Sequence, residues 1–215
     1  MHQNCTKMND ARKNHWENIY ETKTPNEVSW TEEKPETSLD FIQSFSVDKT
    51  AKIIDIGGGE SKLVDFLLEE GYENITILDI SQNALNRAKK RLGKNAEKVT
   101  WIVSDITDFN PEESYDVWHD RAVFHFLTEE KDIKIYQKLV EKAVNNFMVI
   151  GTFSTNGPLK CSGLEIKQND ETSLISTFEK NFEKINCLTT NHKTPFETIQ
   201  NFIFCSFNKN INVEK

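Results

Sequence analysis

The stretch Asp55-Ile56-Gly57-Gly58-Gly59-Glu60-Ser61 sets an acid and then three consecutive glycines at the end of an apolar run. Adjacent glycines let the backbone approach a ligand with no Cβ in the way. Two more acids stand in equivalent places. Asp79 closes the run Ile75-Thr76-Ile77-Leu78, 20 residues after Gly59, and Asp105 follows Val99-Thr100-Trp101-Ile102-Val103. A carboxylate at the position of Asp79 can accept both hydroxyls of a ribose. One at Asp105 can accept from an exocyclic amine such as that of adenine, and Asp55 can hold an ammonium group directly or through water.

The ligand that unites ammonium, ribose diol and adenine amine is S-adenosylmethionine. Its sulfonium is cationic, so an acidic lining favours it, whereas the same lining would repel the pyrophosphate of a dinucleotide. A nicotinamide dinucleotide fingerprint also needs a third glycine at position 62, where this chain has Lys62. A dehydrogenase is disfavoured on both counts.

Methyl transfer is an in-line displacement on an electrophile already activated by the cofactor, so the protein supplies alignment and a dry site. The polar groups available for this cluster in three places: Trp118-His119-Asp120-Arg121 with His125, the loop containing Cys161, and the loop containing His192. His119 or His125 could act as a base, Arg121 could attract a thiolate or orient Asp120, and Cys161 and His192 could contact substrate. Each also has a purely structural reading: His125 between Phe124 and Phe126 as a core histidine, Cys161 as a small buried side chain. The histidines lack metal-ligand spacing, so no metal is expected.

These residues need elements to hold them. Apolar strands at 51–56, 75–79, 99–103, 115–119 and 147–153 alternate with helical patterns, among them one capped by Ser38, one capped by Ser81 and one capped by Thr128. Such alternation implies a Rossmann-like, doubly wound α/β sheet with helices on both faces, and ligands past the carboxyl ends of its strands. A further helix is expected near 170–181. Two last strands, near 182–189 and 199–207, have a connection that suits an antiparallel return. Residues 1–14 read as a disordered tail, 15–47 as an N-terminal lid segment with the first helix, and 48–210 as the core of a single domain.

The chain has 215 residues, 37% of them apolar, with 26 basic and 34 acidic residues and a net charge of −8. An acidic chain is a poor binder of nucleic-acid backbones or anionic membranes. Met1 to Asn14 is polar and lacks an apolar signal core, and no apolar run reaches the length of a membrane span. The cysteines at 5, 161, 187 and 205 are far apart, which argues against a zinc module or disulfide scaffold and suits a reducing cytoplasm. Monomer and homodimer both stay open.

Together, Ile53 to Gly59, Leu78-Asp79-Ile80-Ser81, Ser104-Asp105-Ile106 and Tyr115-Asp116-Val117 resemble the class I, seven-strand S-adenosylmethionine-dependent methyltransferases over about residues 15–208. His15 to Tyr20 and Val28-Ser29-Trp30 are similar to a subgroup that includes eukaryotic protein-lysine methyltransferases and bacterial proteins of unassigned substrate. The resemblance implies sheet order 3-2-1-4-5-7-6 with strand seven antiparallel, and a lid at Trp30. It implies cofactor contacts at Asp55, Gly57, Gly58, Gly59, Asp79, Ile80, Asp105, Ile106 and Asp120, with Trp16 and Tyr20 near the substrate. Where the lysine enzymes carry Asp-Lys-Gly-x-x-Asp, this chain has Asp120-Arg121-Ala122-Val123-Phe124-His125. An imidazole thus replaces the second acid that a lysine ammonium would meet. The Asn-Pro-Pro-Tyr motif of methylases of amide and nucleobase nitrogens is absent. A small acceptor, thiol or sulfide, is the expectation; a protein lysine is the alternative, and a non-catalytic cofactor binder the second alternative.

Overall fold

The computed structural model describes residues 2–210. Numbering only the strands of the main sheet, its elements are α1 (His2–Thr22), α2 (Glu36–Ser44), β1 (Lys52–Ile56), α3 (Leu63–Glu69), β2 (Asn74–Asp79), α4 (Gln82–Leu92), β3 (Val99–Val103), β4 (Tyr115–Arg121), α5 (Glu130–Ala143), β5 (Val144–Phe153), α6 (Glu171–Phe178), β6 (Phe182–Lys193) and β7 (Ile199–Lys209). The sheet order is β3-β2-β1-β4-β5-β7-β6. The first five strands are mutually parallel, and β7 is antiparallel to both β5 and β6. This is the order and the strand sense the sequence resemblance implied.

The strands read as near-continuous apolar runs because both faces are covered. Alternate residues serve opposite faces. Ile53, Ile75, Ile77 and Val117 pack with Leu39 and Ile42 of α2, Leu63 and Leu67 of α3 and Leu85 of α4. Ile54, Ile56 and Trp118 pack with Tyr136 and Val140 of α5 and Leu174 and Phe178 of α6.

Four local expectations change. The tail expected over 1–14 is helical from His2, continuous with the segment that follows. Its anchors are polar and aromatic, not an apolar stripe: Arg12 pairs with Asp105 and Asp132, and Glu17 accepts from Ser81 Oγ and the Gln82 and Asn83 amides. The Glu17 carboxylate thereby satisfies free amides at the α4 N-terminus, where a negative charge is also favoured by the dipole. Ser38 does not cap α2, which begins at Glu36; it lies buried in the first turns. The cap of α5 is Glu129, one residue past Thr128. Finally, Cys187 and Cys205 face each other across β6 and β7 and are joined by a disulfide. Eighteen residues apart in sequence, they become neighbours only through the hairpin register. Among the described residues no helix is long and apolar enough to cross a membrane, and no cluster of His, Cys, Asp and Glu could hold a metal ion.

Candidate active site

Asp105, Asp79 and Asp55 stand at the carboxyl ends of β3, β2 and β1, and Arg121 ends β4. Sheet order therefore sets them in a row, acid, acid, acid, base, along one edge. All four line a single cavity, roofed by Arg12, Trp16 and Tyr20 of α1 and by Val28, Trp30 and Glu32 of the segment after it.

Asp105 Oδ1 accepts from the amide and hydroxyl of Thr107 at 2.8 and 2.7 Å, and its Oδ2 is 3.2 Å from Arg12 Nε. Asp79 is buried and accepts from the Ser81 amide at 2.8 Å. Burial raises its pKa to about 7; the charges of Asp55 and Glu17 add to the rise, and the amides of Ser81 and Gly59 oppose it. Asp55 Oδ1 is 2.7 Å from His119 Nδ1, and His119 Nε2 is 2.9 Å from Ser38 Oγ. The three form a buried chain in which the imidazole fixes the direction of the carboxylate and has both nitrogens engaged. The sequence offers Ser38 only as a helix cap; its place in the site shows only in its bond to His119 of β4.

The glycine turn holds the edge open. A Cβ on Gly58 would lie 2.5 Å from Asp55 Oδ2 and 2.9 Å from Ile77 Cγ2, and one on Gly57, where φ is +65°, would overlap Val123. Tyr20 packs over Gly59, its hydroxyl 3.0 Å from where a Cβ would sit. Burial, with Asp79 beside it, keeps the Tyr20 phenol protonated. Ile80 and Ile106 also line the cavity, whereas Gly59 lies behind the turn. Three carboxylates in a row around a backbone that no side chain obstructs fit S-adenosylmethionine, whose amine, diol and ammonium they would face.

The β4 end is where expectation and structure part. The strand runs on past His119, so Asp120 and Arg121 lie within it, not past it. Arg121 faces the cavity; its Nη1 donates to the Trp30 carbonyl at 3.1 Å, and its guanidinium meets Glu32 at 3.2 Å and the ring of Phe202. Asp120 points to the opposite face of the sheet. It accepts from the Val123 and Phe124 amides and the Tyr136 hydroxyl, and burial raises its pKa to about 6. That set of bonds makes it the anchor of the turn after β4, not a cofactor contact or a catalytic group. His125 is fully buried, stacked on Phe153, and burial drives its pKa down to about 3. It does not line the cavity, so the base role proposed for it is not supported. His192 also lies outside the cavity lining; it holds Ser29 O at 2.6 Å and Glu32 at 3.3 Å, which pins the segment over the site.

Trp16 sits between Trp30 and Phe126, ring centroids 5.6 and 5.3 Å away, and forms an aromatic wall beside Arg121. Cys161 is in the lining, its thiol pushed up to about 12 by burial and only partly offset by Arg121, so it is a protonated wall residue.

Residues 53–143 match the family described as Methyltransferase domain. The chain is 24% identical over 127 residues to an eEF1A lysine and N-terminal methyltransferase of Mus musculus, an alignment covering 57% of this chain and 18% of that protein. It is 31% identical over 125 residues to a malonyl-[acyl-carrier protein] O-methyltransferase of Anoxybacillus flavithermus, covering 55% of this chain and 47% of that one. The chain thus spans less than half the length of these two curated relatives. The N-methyltransferase NodS from Bradyrhizobium japonicum WM9, crystallised with S-adenosyl-L-homocysteine, superposes with a TM-score of 0.67 at 17% identity over 84% of this chain and 90% of that one. With the strand order, these likenesses give the chain the class I S-adenosylmethionine-dependent methyltransferase fold, within which residues 53–143 are similar to the Methyltransferase domain family.

Proposed function

We propose that the protein is a cytoplasmic S-adenosylmethionine-dependent methyltransferase acting on a small nucleophile, with a thiol or sulfide as the favoured acceptor. When bound, S-adenosylmethionine supplies a methyl group on a cationic sulfur, open to in-line displacement. Asp105, Asp79 and Asp55 would hold its adenine amine, ribose and ammonium. His119 and Ser38 keep Asp55 aimed, and α1 with Trp30 excludes water from the edge.

The observation that carries the acceptor reading is that, among the described residues, no imidazole stands free in the cavity wall. His119 has both nitrogens bonded, and His125 and His192 lie outside the lining. A lysine amine, with pKa near ~10.4, would need a group to take its proton, whereas a thiol near ~8.5 ionises readily and more so beside a cation. Arg121 is such a cation and would repel an ammonium. The aromatic wall of Trp16, Trp30 and Phe126 supports the second reading, a protein lysine, because rings attract cations.

The test is incubation with methyl-labelled cofactor and crude extract, counting label in macromolecular, soluble and volatile fractions. Label in the soluble or volatile fraction supports the small acceptor. Label in a protein band replaces it with the lysine reading. Tight cofactor binding with no label anywhere favours a non-catalytic binder.

A further inference from the structure

Arg121 is the cation on the β4 side of the cavity, opposite the three acids along the edge. Its Nη1 is bonded to the Trp30 carbonyl. Its Nε and Nη2 are buried and have no hydrogen-bond partner among the described residues, although Glu32 lies 3.2 Å from Nη2 as an ion pair. Nε and Nη2 form one edge of the guanidinium, and two parallel N–H groups of that kind match the two oxygens of a carboxylate. A buried donor without an acceptor is costly, about 1–3 kcal/mol, so the unpaired Nε, beside an Nη2 held only by the Glu32 ion pair, calls for an acceptor.

The local charge permits an anion there. Burial alone would raise the Glu32 pKa, yet His192 and Arg121 together hold it low, so Glu32 is ionised. Its charge is shared between Arg121 and the ring of His192, whose Nδ1 lies 3.3 Å from Glu32 Oε1 and whose Nε2 lies 2.6 Å from Ser29 O. Arg121 is a permanent cation, and the Glu32 carboxylate beside it is divided between it and His192. The neighbouring surface is apolar, made by Trp16, Phe126 and Ala122, with the Trp16 and Phe126 rings edge to face and Cys161 also in the lining.

We propose that the acceptor substrate carries a carboxylate that docks on the Nε–Nη2 edge of Arg121, with an apolar, preferably aromatic, body against Trp16 and Phe126. This deepens the methyltransferase reading and rests on it, since the cofactor would occupy the acidic half of the cavity. The anchor is independent of the methylated atom, which is either a second group such as a thiol or the carboxylate oxygen itself.

The experiment is titration calorimetry on the full chain saturated with S-adenosylhomocysteine, using phenylacetate and 3-phenylpropanoate against their primary amides. The acids are expected to bind at least about tenfold more tightly than the amides, a difference of about 1.4 kcal/mol. R121Q, measured at saturating S-adenosylhomocysteine, is expected to erase that preference, and R121K to keep part of it. Equal binding of acids and amides, no acid binding at all, or a preference that survives in R121Q overturns the proposal. Should R121Q fail to fold, E32Q replaces it: removal of the competing carboxylate is expected to tighten acid binding, and unchanged or weaker binding overturns the proposal. Failure of the wild-type chain to bind S-adenosylhomocysteine would instead count against the methyltransferase reading. Methyl ester or thioether in the product of the labelled reaction then tells which atom accepts.

Discussion

Asp79 is a carboxylate held where its own charge is disfavoured, with a pKa of about 7 in place of the usual carboxylate range. A ribose diol donates two hydrogen bonds and so binds the ionised form best. The sign follows: below pH 7 cofactor binding must first remove a proton, and above it no proton moves. The association constant for S-adenosylhomocysteine is expected to fall about tenfold per pH unit below 7 and to level off above it, and D79N is expected to bind weakly with little pH dependence. Calorimetry between pH 5.5 and 8.5 checks this, and a flat wild-type profile would remove Asp79 from the site. His125 gives the opposite kind of test. Its folded pKa of about 3 lies below the ordinary 6.5, so the unfolded chain takes up a proton that the native one refuses, and stability is lost as pH falls from 6.5 towards 3. H125F removes that loss. Relative to wild type, the variant is expected to gain up to about 1.4 kcal/mol per pH unit below 6.5, read by urea unfolding, with methyl transfer unaffected. Of these residues the sequence shows Asp79 plainly, through its place after an apolar strand. It cannot show which way His125 points, because a histidine between two phenylalanines is compatible with either face of a turn.

At the scale of elements, Glu17 makes one of the contacts that hold the roof of the site. Glu17 on α1 accepts from the Ser81 hydroxyl and the Gln82 and Asn83 amides, closing the N-terminus of α4 from outside the helix. Those bonds and the neighbouring Lys13 outweigh burial and keep Glu17 ionised. E17A leaves these amides without the acid and frees α1 at its middle. A loss of about 0.5–2 kcal/mol, the range for a helix cap, is expected in urea unfolding, together with weaker cofactor binding because Trp16 and Tyr20 ride on the same helix. If stability falls and cofactor affinity does not, α1 is a brace only. The sequence hides this clasp: α1 is polar throughout and has no apolar stripe to give helical periodicity. The alternating strands and helices of the core, in contrast, were legible because burial on both faces writes them as apolar runs. Placement of Asp120 was misread for a related reason. β4 extends through Arg121, so side chains expected in a loop alternate between cavity and core.

For the whole molecule, the row of charges along the sheet edge orders the cavity, while the far side of the sheet is closed by a covalent bond. β6 is the edge strand, hydrogen-bonded within the sheet to β7 alone, and it presents exposed Ile185 and Leu188. The Cys187–Cys205 bond ties that edge to a strand whose Cys205 is packed with Met148 and Ile150. Sequence spacing could not reveal the pair, because the register depends on a bulge between Lys184 and Asn186 and on strands that run on to Lys193 and Ile199. The sequence had placed the connection at Thr190 to Thr198, and the extra pairs shorten it. A bond across a separation of 18 residues restricts the unfolded chain and should stabilise by about 3 kcal/mol on loop-closure grounds. Neither cysteine lines the cavity. Reductant is therefore expected to lower wild-type stability by about that amount, with S-adenosylhomocysteine affinity unchanged, and to have no effect on C187A/C205A. A urea midpoint in wild type that is indifferent to reductant would mean the two sulfurs are thiols in solution, as a reducing cytoplasm would keep them, and the edge strand would then be held by its hydrogen bonds and the packing of Phe182 alone.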